Sequence, residues 1–380
     1  MGSFLDRVNE RGILCEGNDQ SDSHSYLTTL FEIDCSLGSN PYGVPDNILG
    51  LDLNTHVKLL STYFDFSNTV ELTLMLQGYL ETTGVGAEQL FLAHGSFDGI
   101  SHLFHTFFSG RRMLGIGPQF AEVVGEWKFS HRDYSAVPLR LDSDKPFPLE
   151  GLLAEMANPD NNVALIYIDN PNNPTGSVVD LATLKTLAAA AREAGVFVLV
   201  DEAYGDYFPI ENSAFNLLSE FENVICSRSF SKGWGLAAIR VGYLGVHPSM
   251  CHRFRRIAKP FSPSLFSSKI ASHALKDPEF VVRNRALVSR DKAHLIAAFR
   301  DAGFEVLPTH PTVPIFTIRW KGLDVERALK ALGICVSSGK HFQSTCKDID
   351  ESYARVRIPG NPVDIAHITY RLQTTWSYEH

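Results

Sequence analysis

The sequence has few of the features that mark membrane proteins, nucleic-acid-binding proteins or disulfide-rich proteins. Its 380 residues contain six cysteines, and none of these lies in a C-x-x-C pair or in a zinc pattern with histidine. The formal net charge of −9 disfavours nucleic acids and anionic membranes as partners. The amino terminus has no apolar signal core, and the apolar runs are shorter than a membrane span. We therefore expect a cytoplasmic protein with free thiols and no bound metal.

The composition is that of an ordinary globular protein with two domains. Hydrophobic residues make up 44% of the chain and charged residues 20%, which is enough apolar material for a large core. From residue 70 onward, strand and helix patterns alternate, which predicts an α/β fold with a mainly parallel sheet between helices. After residue 262 the elements become shorter, which is typical of a smaller α+β domain. The predicted units are an N-terminal arm with part of the small domain (1–45), a large domain (46–262) and a small C-terminal domain (263–380).

Local sequence patterns predict the individual strands and helices of this α/β arrangement. Strands are predicted at 89–93, 112–116, 163–168, 196–200, 224–227 and 241–246. Helices are predicted at 70–80, 97–108, 181–194 and 280–302, with one more opening at Pro118. The segments V-A-L-I-Y-I and V-F-V-L-V are wholly apolar, as expected for strands that are covered on both faces.

Polar segments follow four of the predicted strands. These segments are H-G-S at 94–96, N-P-N-N-P-T-G at 170–176, D-E-A-Y at 201–204 and S-F-S-K at 229–232. Ligands of parallel α/β sheets bind beyond the carboxyl ends of the strands. We therefore expect the four segments to meet at one edge of the sheet and to form a site.

The order of these motifs resembles that of a known family. N-P-N-N-P-T-G, D-E-A-Y and S-x-S-K followed by R-x-G-Y make the sequence similar to fold-type I aminotransferases of class I/II. The N-P-Y-G-V-P turn at 40–45 and the stretch S-F-S-K-G-W-G-L-A-A-I-R-V-G-Y resemble the histidinol-phosphate aminotransferase and threonine-phosphate decarboxylase branch. The similarity covers roughly residues 33–373.

The resemblance implies a fold, a cofactor and an activity. The sheet would have seven mainly parallel strands, and the cofactor would be pyridoxal 5′-phosphate (PLP). The enzyme would move an amino group between an α-amino acid, or an amino-phosphate such as histidinol phosphate, and a 2-oxo acid. It would be a homodimer with composite active sites.

The resemblance also assigns roles to residues. Lys232 would be the Schiff-base lysine and proton shuttle, Asp201 would pair with the pyridinium nitrogen, and Tyr204 would hydrogen-bond the phenolic oxygen. The other cofactor contacts would be Asn173 at the phenolic oxygen, Phe120 on the ring face, Tyr63 from the neighbouring subunit, and Gly95, Ser96, Phe97, Ser229, Ser231 and Arg240 at the phosphate. Arg355 would bind the substrate carboxylate. Arg357, on the same face of the predicted strand, is the alternative for that role, and Asn40 is a further substrate contact.

Alternatives to an aminotransferase remain open at this stage. A decarboxylase, a cyclase or an oxidase would use the same cofactor groups on the same fold. A non-enzymatic sensor unit of a transcription regulator would need a DNA-binding module, and only about thirty residues precede the Asn40 turn. The segment G-I-G-P at 115–118 lacks the third glycine of a dinucleotide fingerprint and predicts no such site.

Overall fold

Thirteen strands are present in the part of the chain that the structure describes. The computed structural model describes residues 33–52, 66–108, 111–130, 132–255 and 262–376, together with the single residues 54, 57, 61 and 259. The strands are β1 (Ile33–Asp34), β2 (Leu90–Ala93), β3 (Arg112–Gly117), β4 (Tyr134–Pro138), β5 (Val163–Asp169), β6 (Phe197–Glu202), β7 (Val224–Ser229), β8 (Gly242–Val246), β9 (Glu305–Val306), β10 (Ile315–Arg319), β11 (Ile334–Cys335), β12 (Ser337–Ser338) and β13 (Tyr353–Arg357).

Seven of these strands form the central sheet, in the order β2-β8-β7-β6-β5-β3-β4. Only β8 runs against its neighbours, and the contacts among β3, β4, β5, β6 and β7 are parallel. The predicted mainly parallel seven-stranded sheet is therefore confirmed. The register places Asp169 beside Asp201, and Asp201 beside Ser227, at the carboxyl ends of three adjacent strands.

Helices cover both faces of the central sheet, and apolar side chains pack on each face. The helices are α1 (Asp46–Leu49), α2 (Phe66–Tyr79), α3 (Ser96–Phe107), α4 (Ala121–Phe129), α5 (Leu149–Ala157), α6 (Leu181–Glu193), α7 (Cys251–Phe254), α8 (Leu265–Ala274), α9 (Glu279–Asp301), α10 (Val325–Ala331) and α11 (Pro362–Arg371). Helix α6 begins where predicted, because the Asp180 carboxylate accepts a hydrogen bond from the Thr183 amide at 2.8 Å. No helix in the described ranges has both the length and the apolar surface needed to cross a bilayer.

The prediction that Pro118 opens a helix was wrong. Helix α4 begins at Ala121, and Pro118 lies in the preceding loop. Two side-chain acceptors explain why the helix begins only at Ala121. The Gln119 side chain accepts a hydrogen bond from the Ile116 amide, and the Asp169 carboxylate accepts one from the Phe120 amide. These bonds direct the loop toward the edge of the sheet before the first helical turn.

A second, four-stranded antiparallel sheet, ordered β12-β13-β10-β9, forms the smaller layer. Strand β1 pairs in parallel with β11, so residues that precede the central sheet in the chain pack with the small layer. Helix α8 packs against α2 in the apolar core beside the central sheet, although it lies beyond residue 262. The exact domain boundaries remain predictions.

A buried ion-pair network lies directly behind the carboxyl end of β6. The Arg228 guanidinium contacts the Glu202 carboxylate at 2.9 Å and the Asp206 carboxylate at 3.2 Å, and all three side chains are almost completely buried. Glu202 also accepts hydrogen bonds from the Ser213 hydroxyl and the Ala214 amide. The network ties β6 and β7 together beside Asp201.

Replacing Arg228 with methionine should destabilise the protein strongly. Two buried carboxylates would lose their cation, and breaking such a pair costs about 3–5 kcal/mol. The free energy of unfolding, measured in urea at neutral pH, tests this. The control is Lys185→Met, which breaks the exposed Lys185–Glu220 pair and should change the same quantity by less than about 1 kcal/mol. Equal losses in the two variants would contradict the prediction.

Candidate active site

A cavity of about 300 Å³ lies at the carboxyl ends of the central strands. It is lined by Ser36, Leu37, Gly38, Ser96, Phe97, Phe120, Glu122, Asp169, Pro171, Asn173, Asp201, Ala203, Tyr204, Ser229, Ser231, Lys232, Ala237, Arg240 and Arg355. The four polar segments that follow strands in the sequence all contribute to this lining. Segment 36–38 and Arg355 come from outside the central sheet, so the cavity lies between the two layers.

Lys232 and Tyr204 lie side by side under the segment that contains Gly38. The Lys232 Nζ atom is 5.6 Å from the centre of the Tyr204 ring. A Cβ atom at position 38 would lie 2.9 Å from Lys232 Nζ and 2.5 Å from the Tyr204 hydroxyl oxygen. A side chain at position 38 would therefore force Lys232 and Tyr204 to shift, and glycine lets the backbone pass this close to the amine.

Asp201 is the penultimate residue of β6, and its carboxylate is buried at the edge of the sheet. The Ser227 hydroxyl donates to Asp201 Oδ1 at 2.7 Å, and the Tyr167 hydroxyl lies 3.4 Å from Oδ2. Burial raises the pKa of Asp201 to about 6, and these two hydrogen bonds limit the rise. A cationic nitrogen in the cavity would pair with this carboxylate, and the pairing would offset the free-energy cost of ionising Asp201 in a buried position.

Asp169 is a second buried carboxylate in the lining, and sequence reasoning missed it. Its Oδ2 atom accepts the backbone amides of Phe120 and Asn173, both at 3.0 Å, and its Oδ1 atom accepts the Asn172 side-chain amide at 2.9 Å. Burial raises its pKa to about 7, and the nearby Asp201 contributes to the rise. The signal available in the sequence was an acidic residue at the end of a wholly apolar strand.

The other end of the cavity has the donors of an anion site. The Ser229 hydroxyl donates to Ser231 Oγ at 2.8 Å, and Arg240 Nη1 donates to the same oxygen at 3.2 Å. Helix α3 starts at Ser96 and directs its free amides toward this end. Gly95 has a φ of 81°, and a Cβ atom there would lie 2.5 Å from Arg240 Nη2.

Arg355 connects the small layer to the cavity wall. Its Nη1 atom donates to the Asn173 side-chain oxygen at 2.9 Å, and its Nη2 atom donates to the Ser36 carbonyl at 2.5 Å. Its Nε atom is buried and has no hydrogen-bond partner. Arg355 thus holds segment 36–38 in place with one of its five N–H donors and also lines the cavity.

Three of the residues predicted for the site do not reach the cavity lining in the described structure, and a fourth cannot be placed. Arg357 instead donates to the Asp34 and Ile358 carbonyls and to the Asp34 carboxylate. The Asn40 side chain donates to the Gly233 carbonyl and accepts from the Tyr42 amide. Gly95 lies behind the lining, against Arg240, and Tyr63 lies outside the described residues.

These groups define a class of site. A lysine amine and a buried carboxylate line one cavity, with an aromatic residue and hydrogen-bond donors between them and an anion site at the far end. The space between the two layers and the chemistry of the donors fit PLP: Lys232 for its aldehyde, Asp201 for its ring nitrogen, and Ser229, Ser231 and Arg240 for its phosphate. The fold and the site together are those of a fold-type I PLP enzyme.

The chain belongs to the aminotransferase class I and II family, whose model matches residues 58–370. It is 30% identical over 263 residues to the histidinol-phosphate aminotransferase of Moorella thermoacetica, a match that covers 68% of this chain and 66% of that enzyme. The matched region therefore spans slightly less than two thirds of that relative.

Solved structures of low sequence identity share the fold. The histidinol-phosphate aminotransferase of Sinorhizobium meliloti, solved in complex with PLP, superposes with a TM-score of 0.77 at 20% identity and covers 91% of each chain. The L-threonine-O-3-phosphate decarboxylase of Porphyromonas gingivalis superposes with a TM-score of 0.73 at 19% identity, covering 91% of this chain and 99% of that one. The fold alone thus does not distinguish transamination from decarboxylation.

Replacing Asp201 with asparagine should stabilise the cofactor-free protein at alkaline pH. Burial raises the pKa of Asp201 from 3.8 to about 6, so its ionisation costs stability as the pH rises from 4 to 6 and stays costly above that. At about 1.4 kcal/mol per pKa unit, the stability of the variant relative to wild type should rise by about 2 kcal/mol between pH 4.5 and pH 8. Urea unfolding at the two pH values measures the gap.

The control for this experiment is Asp180→Asn, at the exposed N-cap of α6. Asparagine caps helices as well as aspartate does, so this variant should follow wild type at both pH values. A stability gap for Asp201→Asn that is the same at pH 4.5 and pH 8 would show that burial of the charge is not its cause.

Proposed function

We propose that the protein is a PLP-dependent aminotransferase, which moves an amino group between an α-amino acid or an amino-phosphate and a 2-oxo acid. The observation that carries the proposal is the cavity that Lys232, Asp201 and Arg355 line together. Membership of the aminotransferase class I and II family supports it. The names of the relatives make histidinol phosphate the first amine to test.

Each side chain of the cavity has a task in this proposal. The cofactor, when bound, supplies an electron sink for the substrate's α-carbon. Lys232 removes the α-proton and returns it to a neighbouring carbon, so one amine serves as base and then as acid. Asp201 holds the proton of the ring nitrogen, and Tyr204 and Asn173 donate to the phenolic oxygen. Phe120 packs against the ring face.

Arg355 is proposed to bind the substrate carboxylate. Its Nη1 and Nη2 atoms are held by Asn173 and Ser36, while Nε is buried without a partner. Arg355 lines the cavity, and the N–H groups of its Nη atoms that Asn173 and Ser36 do not use would donate to a carboxylate in charge-assisted hydrogen bonds. Arg357 donates to Asp34 and to the Ile358 carbonyl and is not part of the cavity lining, whereas Arg355 is, which favours Arg355 for this role.

Replacing Lys232 with alanine should abolish covalent retention of the cofactor and lower turnover by at least about a thousandfold, because no other amine lines the described cavity. Wild-type protein, incubated with PLP and reduced with borohydride, should gain the mass of one cofactor on the peptide that contains Lys232. Lys185→Ala, which removes an exposed lysine, should behave as wild type.

Two results would contradict the proposal, one from this experiment and one from an assay of carbon dioxide release by the wild-type protein. Turnover by the Lys232→Ala variant at the wild-type rate would remove the lysine from the chemistry. Release of carbon dioxide by wild-type protein without any need for a 2-oxo acid would identify a decarboxylase instead.

The proposed function includes a homodimer with composite sites. Three apolar side chains on or beside helices α1 and α2 are largely exposed in the single chain: Leu49 at 74%, Val70 at 55% and Leu74 at 54%. Val70 and Leu74 are four residues apart and so share one face of α2, and exposed apolar groups on one face favour burial against a second copy. The cytoplasmic location expected from the sequence stays a prediction.

Replacing Leu74 with aspartate should shift the protein toward monomers, because a charge would enter the apolar contact. Sedimentation velocity at micromolar concentration measures the species. Val363→Asp, at an exposed site on the distant helix α11, is the control and should leave the distribution unchanged. A wild-type protein that sediments as a monomer would contradict the dimer.

A further inference from the structure

Asp169 joins two parts of the cavity wall that are far apart in the chain. One oxygen, Oδ2, accepts the backbone amide of Phe120 and also that of Asn173, each at 3.0 Å. Phe120 precedes helix α4, whereas Asn173 belongs to the turn after β5. The only side-chain acceptor that these two amides share is therefore Asp169.

The remaining contacts of Asp169 reinforce the same junction. Its Oδ1 atom accepts the Asn172 side-chain amide at 2.9 Å, and that amide also donates to the Pro118 carbonyl at 2.9 Å. Two hydrogen bonds thus join the loop before α4 to the end of β5 and its turn, from Phe120 to Asp169 and from Asn172 to Pro118, and two further bonds fold that turn around the Asp169 carboxylate. Because the β5–β6 register sets Asp169 beside Asp201, the junction lies at the level of the proposed ring site.

We propose that Asp169 is a positioning residue, which sets the aromatic side chain of Phe120 and the amide side chain of Asn173 at a fixed separation around the cofactor. The inference rests on the proposed function, since it gives these two residues their places on the ring face and at the phenolic oxygen. Through Asn173, the same carboxylate also supports Arg355, whose Nη1 atom donates to the Asn173 side chain.

A carboxylate is needed at position 169 because all three of its partners are donors. An amide at this position would have one oxygen and one NH₂ group, so a donor would face a donor. Asn172 cannot relieve this by turning over. Its own oxygen already accepts the amide and the hydroxyl of Thr175, at 3.2 and 2.6 Å.

The test is cofactor affinity, measured by titrating the cofactor-free protein with PLP and following the absorbance at pH 8. Asp169→Asn should raise the dissociation constant about tenfold or more, the equivalent of one lost hydrogen bond to a charged group. Asn170→Ser is the matched control. Asn170 is the next residue and is buried, and its side chain bonds to the backbone of Val179 rather than to the cavity lining, so the loss of that side chain should change affinity less than about twofold.

A double-mutant cycle with Asn173→Ala separates positioning from general destabilisation. If Asp169 acts by placing the Asn173 side chain, its replacement matters less once that side chain is absent. The double variant should then bind PLP at least about threefold better than the product of the single effects predicts. The melting temperature of each cofactor-free variant is recorded alongside. Asp169→Ser, which keeps one hydroxyl acceptor, replaces Asp169→Asn in the cycle if the latter does not fold.

The outcomes separate the two proposals. Additive effects in the cycle, or equal loss of affinity in Asp169→Asn and Asn170→Ser, would overturn the positioning role of Asp169. A wild-type protein that binds no PLP at all would instead overturn the proposed function. A coupled loss that is specific to Asp169 supports the inference.

Discussion

The buried carboxylate of Asp201 is the constraint on which the rest of the site depends. Burial raises its pKa to about 6, so near neutral pH the protein holds an ionised group in a place that opposes ionisation. The pairing of β6 with β7 stabilises the ionised carboxylate, because it sets the Ser227 hydroxyl beside one of the two carboxylate oxygens. An opposite charge from a bound ligand would remove the remaining cost, so the same burial that strains the cofactor-free protein favours a cationic partner.

The architecture distributes the site between the two layers. The ends of the central strands and the segments that follow them supply Asp201, Lys232 and the anion site. The small layer supplies Arg355, and segment 36–38 passes over the Lys232 amine. The groups proposed for the cofactor thus lie at the edge of the central sheet, whereas the group proposed for the substrate carboxylate lies on the small layer.

The sequence was informative wherever a local pattern determines the position of a side chain. The apolar strands predicted the central sheet, and Lys232, Asp201 and Asn173 could be placed because each follows such a strand directly. Asp169 was missed because its role comes from accepting amides of a loop about fifty residues away in the chain, which no local pattern records. Arg355 and Arg357 could not be separated either. They share one face of β13, and only the partners that packing brings to each arginine distinguish them.

The arrangement of Arg355 shows how recognition and geometry are coupled. Its guanidinium is held by Asn173 on one side and by the Ser36 carbonyl on the other, and it is nine-tenths buried. Such an arginine loses little conformational freedom when a ligand binds, so more of the binding energy remains available. The rigidity has a consequence for specificity. In the proposed function the ligand carboxylate binds this fixed guanidinium, so the distance from Arg355 to the Lys232 amine would select among amines by the position of the carboxylate relative to the reacting carbon.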